Sequence, residues 1–183
     1  MRHSLSFIAA TVALAAPAQA QGDLEKGLAG ALKGCEEWVL NPVSWADGPQ
    51  PFITTVGLGS MMSLVSEVEE ANLPPKQLRK GNHYWRINSL LGAGYVLVVS
   101  DLLPMCHITG GGDTDLQPVV EAVLSSSDFK GRWEQLKTSA KGDMVSTVFR
   151  NRQDPAMSIT ISRANRPDQR LDRVQLLATA TYK

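Results

Sequence analysis

Apolar residues at Leu24, Leu28, Leu32, Cys35 and Val39 recur at the spacing of one helical face, and Asp23 stands where a capping residue belongs. This predicts an amphipathic helix over residues 23–40, ended by Asn41-Pro42. Gly27, Gly30 and Gly34 share a neighbouring stripe, each lowering helix propensity by up to about 1 kcal/mol relative to alanine, so the helix either packs closely there or frays. Residues 41–60 carry Pro42, Pro49, Pro51, Gly48, Gly57 and Gly59, which predicts a long irregular loop. Helical spacing returns at Met61, Leu64, Val65 and Val68 with Glu67, Glu69 and Glu70 on the other side, and Pro74-Pro75 closes a second predicted helix over 60–72.

Past a basic connector at 76–80 the period changes from 3.6 to 2. Residues 82–91 and the Val-rich run 95–100 read as a hairpin turning at Gly92-Ala93-Gly94, and a third strand, 105–109, leads into Gly110-Gly111-Gly112. A third helix begins near 113–115, tolerates Pro118 in its first turn, buries Val119, Val120, Val123 and Leu124, and ends at Ser125-Ser126-Ser127. Phe129 and Trp133 fall in a short helical turn, after which 142–150, 156–163 and 173–182 alternate as a three-stranded meander. No βαβ alternation and no internal sequence repeat occur. The expected fold is α+β: an antiparallel sheet of about six strands, in two three-stranded segments separated by a helix, with helices packed on one face.

The first residues read as a leader and not as part of this domain. Arg2 and His3 precede an apolar run from 7 to 16, and Ala18-Gln19-Ala20 forms a small-x-small cleavage site. Residues 1–20 are therefore expected to be a cleaved signal peptide and residues 21–183 a single exported domain, periplasmic or secreted. The apolar run is about half the roughly 20 residues that a membrane span needs, so no span is expected after cleavage. With 43% hydrophobic and 20% charged residues the chain has the material for a core, and a formal net charge of zero argues against nucleic acid as a partner.

Export changes how the two cysteines read. Cys35 and Cys106 are the only available pair, and in an oxidising compartment they are expected to form a disulfide. The competing reading, a Cys106 thiol nucleophile served by His107, fails on geometry, because adjacent strand residues point to opposite faces.

Candidate chemistry is sparse. Gly110-Gly111-Gly112-Asp113-Thr114-Asp115 ahead of a helix suggests an anion loop, but it lacks the Lys and Ser/Thr ending of a P-loop, and its acidic residues suit helix capping better. The mature chain keeps two histidines, His83 and His107, in no metal-ligand spacing, so neither metal nor other cofactor is expected. Glu36 with Glu37, and Glu67 with Glu69 and Glu70, read as solvated helix faces. The arginines at 150, 152, 163, 166, 170 and 173 alternate with Asp154, Asp168 and Asp172 in an ordinary mixed-charge surface. The aromatic residues Trp38, Trp45, Phe52, Tyr84 and Trp85 all fall before the third strand. Two of them, Trp45 and Phe52, lie in the predicted loop, where large rings either pin the loop to the core or line a groove. The leading expectation is a non-enzymatic binding module of the cell envelope, meeting a protein, glycan or lipid component through Trp45, Phe52, Tyr84 and Trp85, with no catalytic residues. The alternative is a small hydrolase built on Ser100, Asp101 and either His83 or His107.

Overall fold

The structure is a computed structural model that describes residues 16–88, 92–169 and 174–182; most of the leader lies outside the described residues. Helix α1 (Ala16–Leu40) buries Leu24, Leu28, Leu32 and Cys35, the stripe that the spacing predicts. Its glycines mark close packing. A methyl group on Gly30 would sit 2.7 Å from Leu58, and one on Gly34 would meet Val56, Leu97 and Phe52 at 3.1 to 3.2 Å.

The proline-rich stretch is more regular than predicted. A 3-10 turn (Pro42–Trp45) is followed by α2 (Pro49–Val56), whose prolines occupy the first turn, where a missing N–H breaks no helical bond. Gly57, at φ 75°, caps its carboxyl end. The helix predicted over 60–72 is absent. Its first residues end a 3-10 turn (Gly59–Met61) that runs into an edge strand, β1 (Met62–Val65), which pairs Met62 with Ile87 and Leu64 with Trp85. Apolar residues at 61, 64, 65 and 68 fit a helix, but Gly59 at φ 55° interrupts the chain and cross-strand pairing overrides so short a pattern.

Strands β2 (Asn82–Asn88), β3 (Ala93–Ser100) and β4 (Met105–Gly112) follow, then α3 (Gln117–Ser125), α4 (Ser127–Arg132) and strands β5 (Trp133–Lys141), β6 (Met144–Asn151), β7 (Met157–Ala164) and β8 (Val174–Tyr182). The last residues of the predicted first hairpin strand, 89–91, lie outside the described residues, as do Arg170 and Arg173. All eight strands form one antiparallel sheet in the order β1-β2-β3-β4-β8-β7-β6-β5. The expected α+β class therefore holds, with eight strands in place of six. β1 and β5 were missed because they are the two edges: β5 buries only Trp133 and exposes nearly everything after it, so it carries no alternating pattern to read.

The order of elements reveals a duplication that the sequence hides. Each half is two helices followed by a four-stranded meander, and the last strands of the halves, β4 and β8, pair at the centre of the sheet. Correspondingly α1 lies over β3 and β4, while α3 lies over β7 and β8. Cys35 and Cys106 form a disulfide, with Cα atoms 5.4 Å apart, that fastens α1 to β4.

A second tie joins the halves. Glu36, expected on a solvated face, is buried: its carboxylate accepts from Arg132 of α4 and, at 2.6 Å, from Asn151 of β6. The glycine run also departs from expectation, since residues 110–112 belong to β4. A methyl group on Gly112 would fall 1.9 Å from the Gly92 carbonyl, so glycine is required there by the neighbouring strand. Asp115 accepts the Gln117 N–H at 3.0 Å and so serves the start of α3, and the buried Gln175 bonds Gly112, Thr114 and Leu116 around the same turn.

Candidate functional site

Three of the four residues proposed from sequence, Trp45, Phe52 and Trp85, come together. Phe52 of α2 is fully buried with its ring centroid 4.9 Å from that of Trp45 and 5.0 Å from those of Trp38 and Trp85. Trp38 and Trp45 stack at 5.6 Å with ring planes 15° apart. Edge-to-face and offset ring contacts of this kind add to what area burial alone provides. The loop is thus pinned to the core by its aromatics. Tyr84 does not join them: it neighbours Trp85 on β2, so strand alternation turns it to the opposite face of the sheet.

What remains accessible is a cleft of about 170 Å³ at the rim of this ring cluster, lined by Trp38, Trp45, Leu64, His83, Trp85 and Asp101 together with Gly48 and Pro49. Each wall has a local cause. Trp38 is held by its indole N–H, which donates to the Ser100 carbonyl at 3.0 Å. Trp45 closes the 3-10 turn after α1, and Leu64 projects from the edge strand on the same face as its partner Trp85. His83 follows that face two residues before Trp85, and its Nε2 lies 2.5 Å from Asp101 Oδ2, both side chains half-exposed. One lining side chain, Leu64, is half-exposed, and two further exposed apolar residues adjoin lining segments in sequence. Leu64 itself is 48% exposed, Leu102, next to Asp101, 70%, and Val43, two residues before Trp45, 84%. The indole nitrogens of Trp45 and Trp85 are buried without a hydrogen-bond partner.

Trp38 is named among the aromatics of the first half but not among the four proposed binding residues, and Leu64, Leu102 and Val43 are not singled out from sequence as site residues. The signal for Trp38 was available, since it lies three residues after Cys35 on the buried side of α1. Nothing in the sequence marks Leu64, whose role depends on the edge strand that the pattern mistook for helix.

The residues of the hydrolase alternative are only partly assembled. His83 and Asp101 pair, but the Ser100 hydroxyl is engaged elsewhere: it donates to the Lys80 carbonyl at 2.6 Å and accepts from the Leu102 and Leu103 amides at 3.1 and 3.0 Å. It closes the turn after β3. His107 lies on the far face of the sheet, 1% exposed, with Nδ1 2.9 Å from Thr179 Oγ1. Among the described residues no group of three His, Cys, Asp or Glu side chains is placed to hold a metal ion, and no helix is long and apolar enough to cross a membrane.

His107 carries a pH prediction. Burial lowers its pKa from 6.5 to about 4, so the unfolded chain takes up a proton at a pH where the folded chain does not. The stability held by the neutral imidazole is complete above the unfolded value and is lost as the pH falls through the window between the two. Chemical denaturation at about pH 7 and about pH 4.5 is expected to differ by roughly 2–3 kcal/mol from this group alone. His107→Asn should remove that part of the slope, and an unchanged slope would contradict the assignment.

Among the described arginines from 150 onward, three are engaged at separate points, and the Arg163 side chain is only 11% exposed. Arg150 bonds Glu134 at 2.7 Å, Arg163 bonds Glu121 at 2.5 Å, and Arg152 donates to the Lys130 carbonyl at 3.0 Å. No family model matches the chain, and neither a curated protein nor a solved structure shows significant similarity to it.

Proposed function

We propose that the protein is an exported, non-enzymatic binding module of the cell envelope whose recognition surface is the cleft between the carboxyl end of α1, the 3-10 turn and strands β1 and β2. The observation that carries the reading is a small cleft walled by Trp38, Trp45 and Trp85, with the half-exposed Leu64 on its edge and the His83–Asp101 pair beside it. A concave, largely apolar cleft with a few polar groups at its edge is where a binding site forms. Within this reading Trp45 and Leu64 offer the edge that meets the partner, Trp85 and Phe52 support them from beneath, and Tyr84 takes no part. Export is compatible with the fold, because cleavage after Ala20 leaves Leu24, Leu28 and Leu32 in place on α1.

The test is retention of a soluble envelope extract on immobilised protein, comparing Leu64→Asp with a control at an equally exposed site remote from the cleft, Leu136→Asp. Material retained by the wild type and by Leu136→Asp, and lost by Leu64→Asp, is the expected result. Equal retention by both variants would remove the cleft as the surface. Chemical conversion of the retained material, abolished by His83→Ala, would favour the hydrolase instead.

A further inference from the structure

Resting on the binding reading, we infer that the cleft and the free edge of β1 together take an extended peptide segment of a partner protein, whose backbone adds a strand to the sheet and which lays one lysine or arginine side chain into the cleft. The edge is the first argument. β1 and β5 are the two ends of the sheet, and among the described residues no strand lies beyond either. β5 carries devices that keep an edge from pairing, namely Lys137, Lys141 and a register shift between Gln135 and Lys137. β1, Met62-Ser63-Leu64-Val65, has no charge, no proline and an unbroken register with β2, and its Ser63 and Leu64 are exposed. Four residues offer an added strand few backbone bonds, so a side chain must supply the rest of the affinity.

The second argument is what the cleft can hold. In an added strand the residue directly opposite Leu64 shares its face, which is the face of the cleft, and its Cβ lies about 4.5–5.5 Å from that of Leu64. About 170 Å³ is well below the roughly 300–1,000 Å³ of pockets that enclose a whole small ligand, and it suits one side chain. Leu64 and Pro49 give the accessible apolar wall, and of the lining residues only Asp101 and His83 can carry charge. The Asp101 side chain, paired with His83, is 56% exposed. An aliphatic stem with a cationic head matches both parts of this wall. A wholly apolar side chain would cover the carboxylate without pairing it, and an acidic one would be repelled.

The probe is a fluorescein-labelled peptide, Ser-Thr-Val-Lys-Val-Thr-Ser, titrated with the mature chain and followed by anisotropy. Beside it run a form with norleucine in place of the lysine, a form with glutamate there, and a form N-methylated at the three central residues, which cannot pair on either edge. Saturable binding of the lysine peptide at millimolar concentration or below is expected. Each of the three altered peptides should bind about tenfold more weakly or worse. Asp101→Asn should weaken the lysine peptide to the same extent while keeping the melting temperature of the wild type. No saturable binding of the lysine peptide overturns the inference, as does equal binding of any altered peptide or an unchanged affinity in Asp101→Asn. Light scattering that shows a dimer of the free protein, broken by Leu64→Asp, would give the edge to a second copy and overturn it too. If the extract is still retained through Leu64 while the peptide fails, only the ligand class falls. If retention fails as well, the binding reading falls with it.

Discussion

Phe52→Ala is expected to lower stability by about 3–5 kcal/mol, the range for truncating a large buried ring. The residue is fully buried and touches three tryptophan rings at centroid distances of 4.9 to 5.0 Å, so its loss leaves a cavity where α2, α1 and β2 meet. At roughly 2–4 °C per kcal/mol for a domain of this size, the melting temperature should fall by about 10 °C or more. The half-exposed Leu64 leaves no such cavity, and Leu64→Ala should stay within about 1 kcal/mol of wild type. A small effect at Phe52 would mean that the ring cluster is not part of the core, and the division between supporting rings and recognising rim would go with it.

The disulfide supplies the second large effect. In the chain-entropy model, closing a loop of about 70 residues stabilises the folded state by about 4 kcal/mol, an upper figure because residual structure in the unfolded chain reduces it. Both cysteines are fully buried, so a Cys35→Ala/Cys106→Ala double variant is a cleaner test than reductant. Its melting temperature should fall by roughly 10 °C relative to the oxidised wild type. The loss should be felt most at the carboxyl end of α1, which carries Trp38 and anchors one wall of the cleft. A shift of less than about 2 °C would show that the tie of Glu36 to Arg132 and Asn151 already holds α1 on the sheet.

What the sequence disclosed follows from where periodicity is enforced. β7 and β8 pack one face on the helices, so they alternate, β3 is buried on both faces over 97–100 and shows as a continuous Val-rich run, and α1 and α3 show their buried stripes because one face packs on the sheet. The edges were illegible because an edge strand such as β5 buries one residue in nine and is defined by its hydrogen bonds to β6 and not by its own side chains. Prolines misled in one place: Pro49 and Pro51 read as breakers, although in the first turn of α2 they help to start it. At the site, composition disclosed that aromatics gather in the first half but not which of them face one another. Tyr84 and Trp85 are neighbours in sequence and lie on opposite sides of the sheet. Leu64, far from both in sequence, is brought onto the face of Trp85 by the pairing of β1 with β2.

The central claim is that the cleft at the rim of the ring cluster binds a partner without transforming it. The most direct measurement is tryptophan emission of the mature protein, titrated with the material eluted from the immobilised wild type and followed over hours, with Leu64→Asp in parallel. The account predicts a saturable change that persists at a constant level in the wild type and is missing from Leu64→Asp. An unresponsive wild type, an equal response in the variant, or a signal that decays as the ligand is consumed would contradict it.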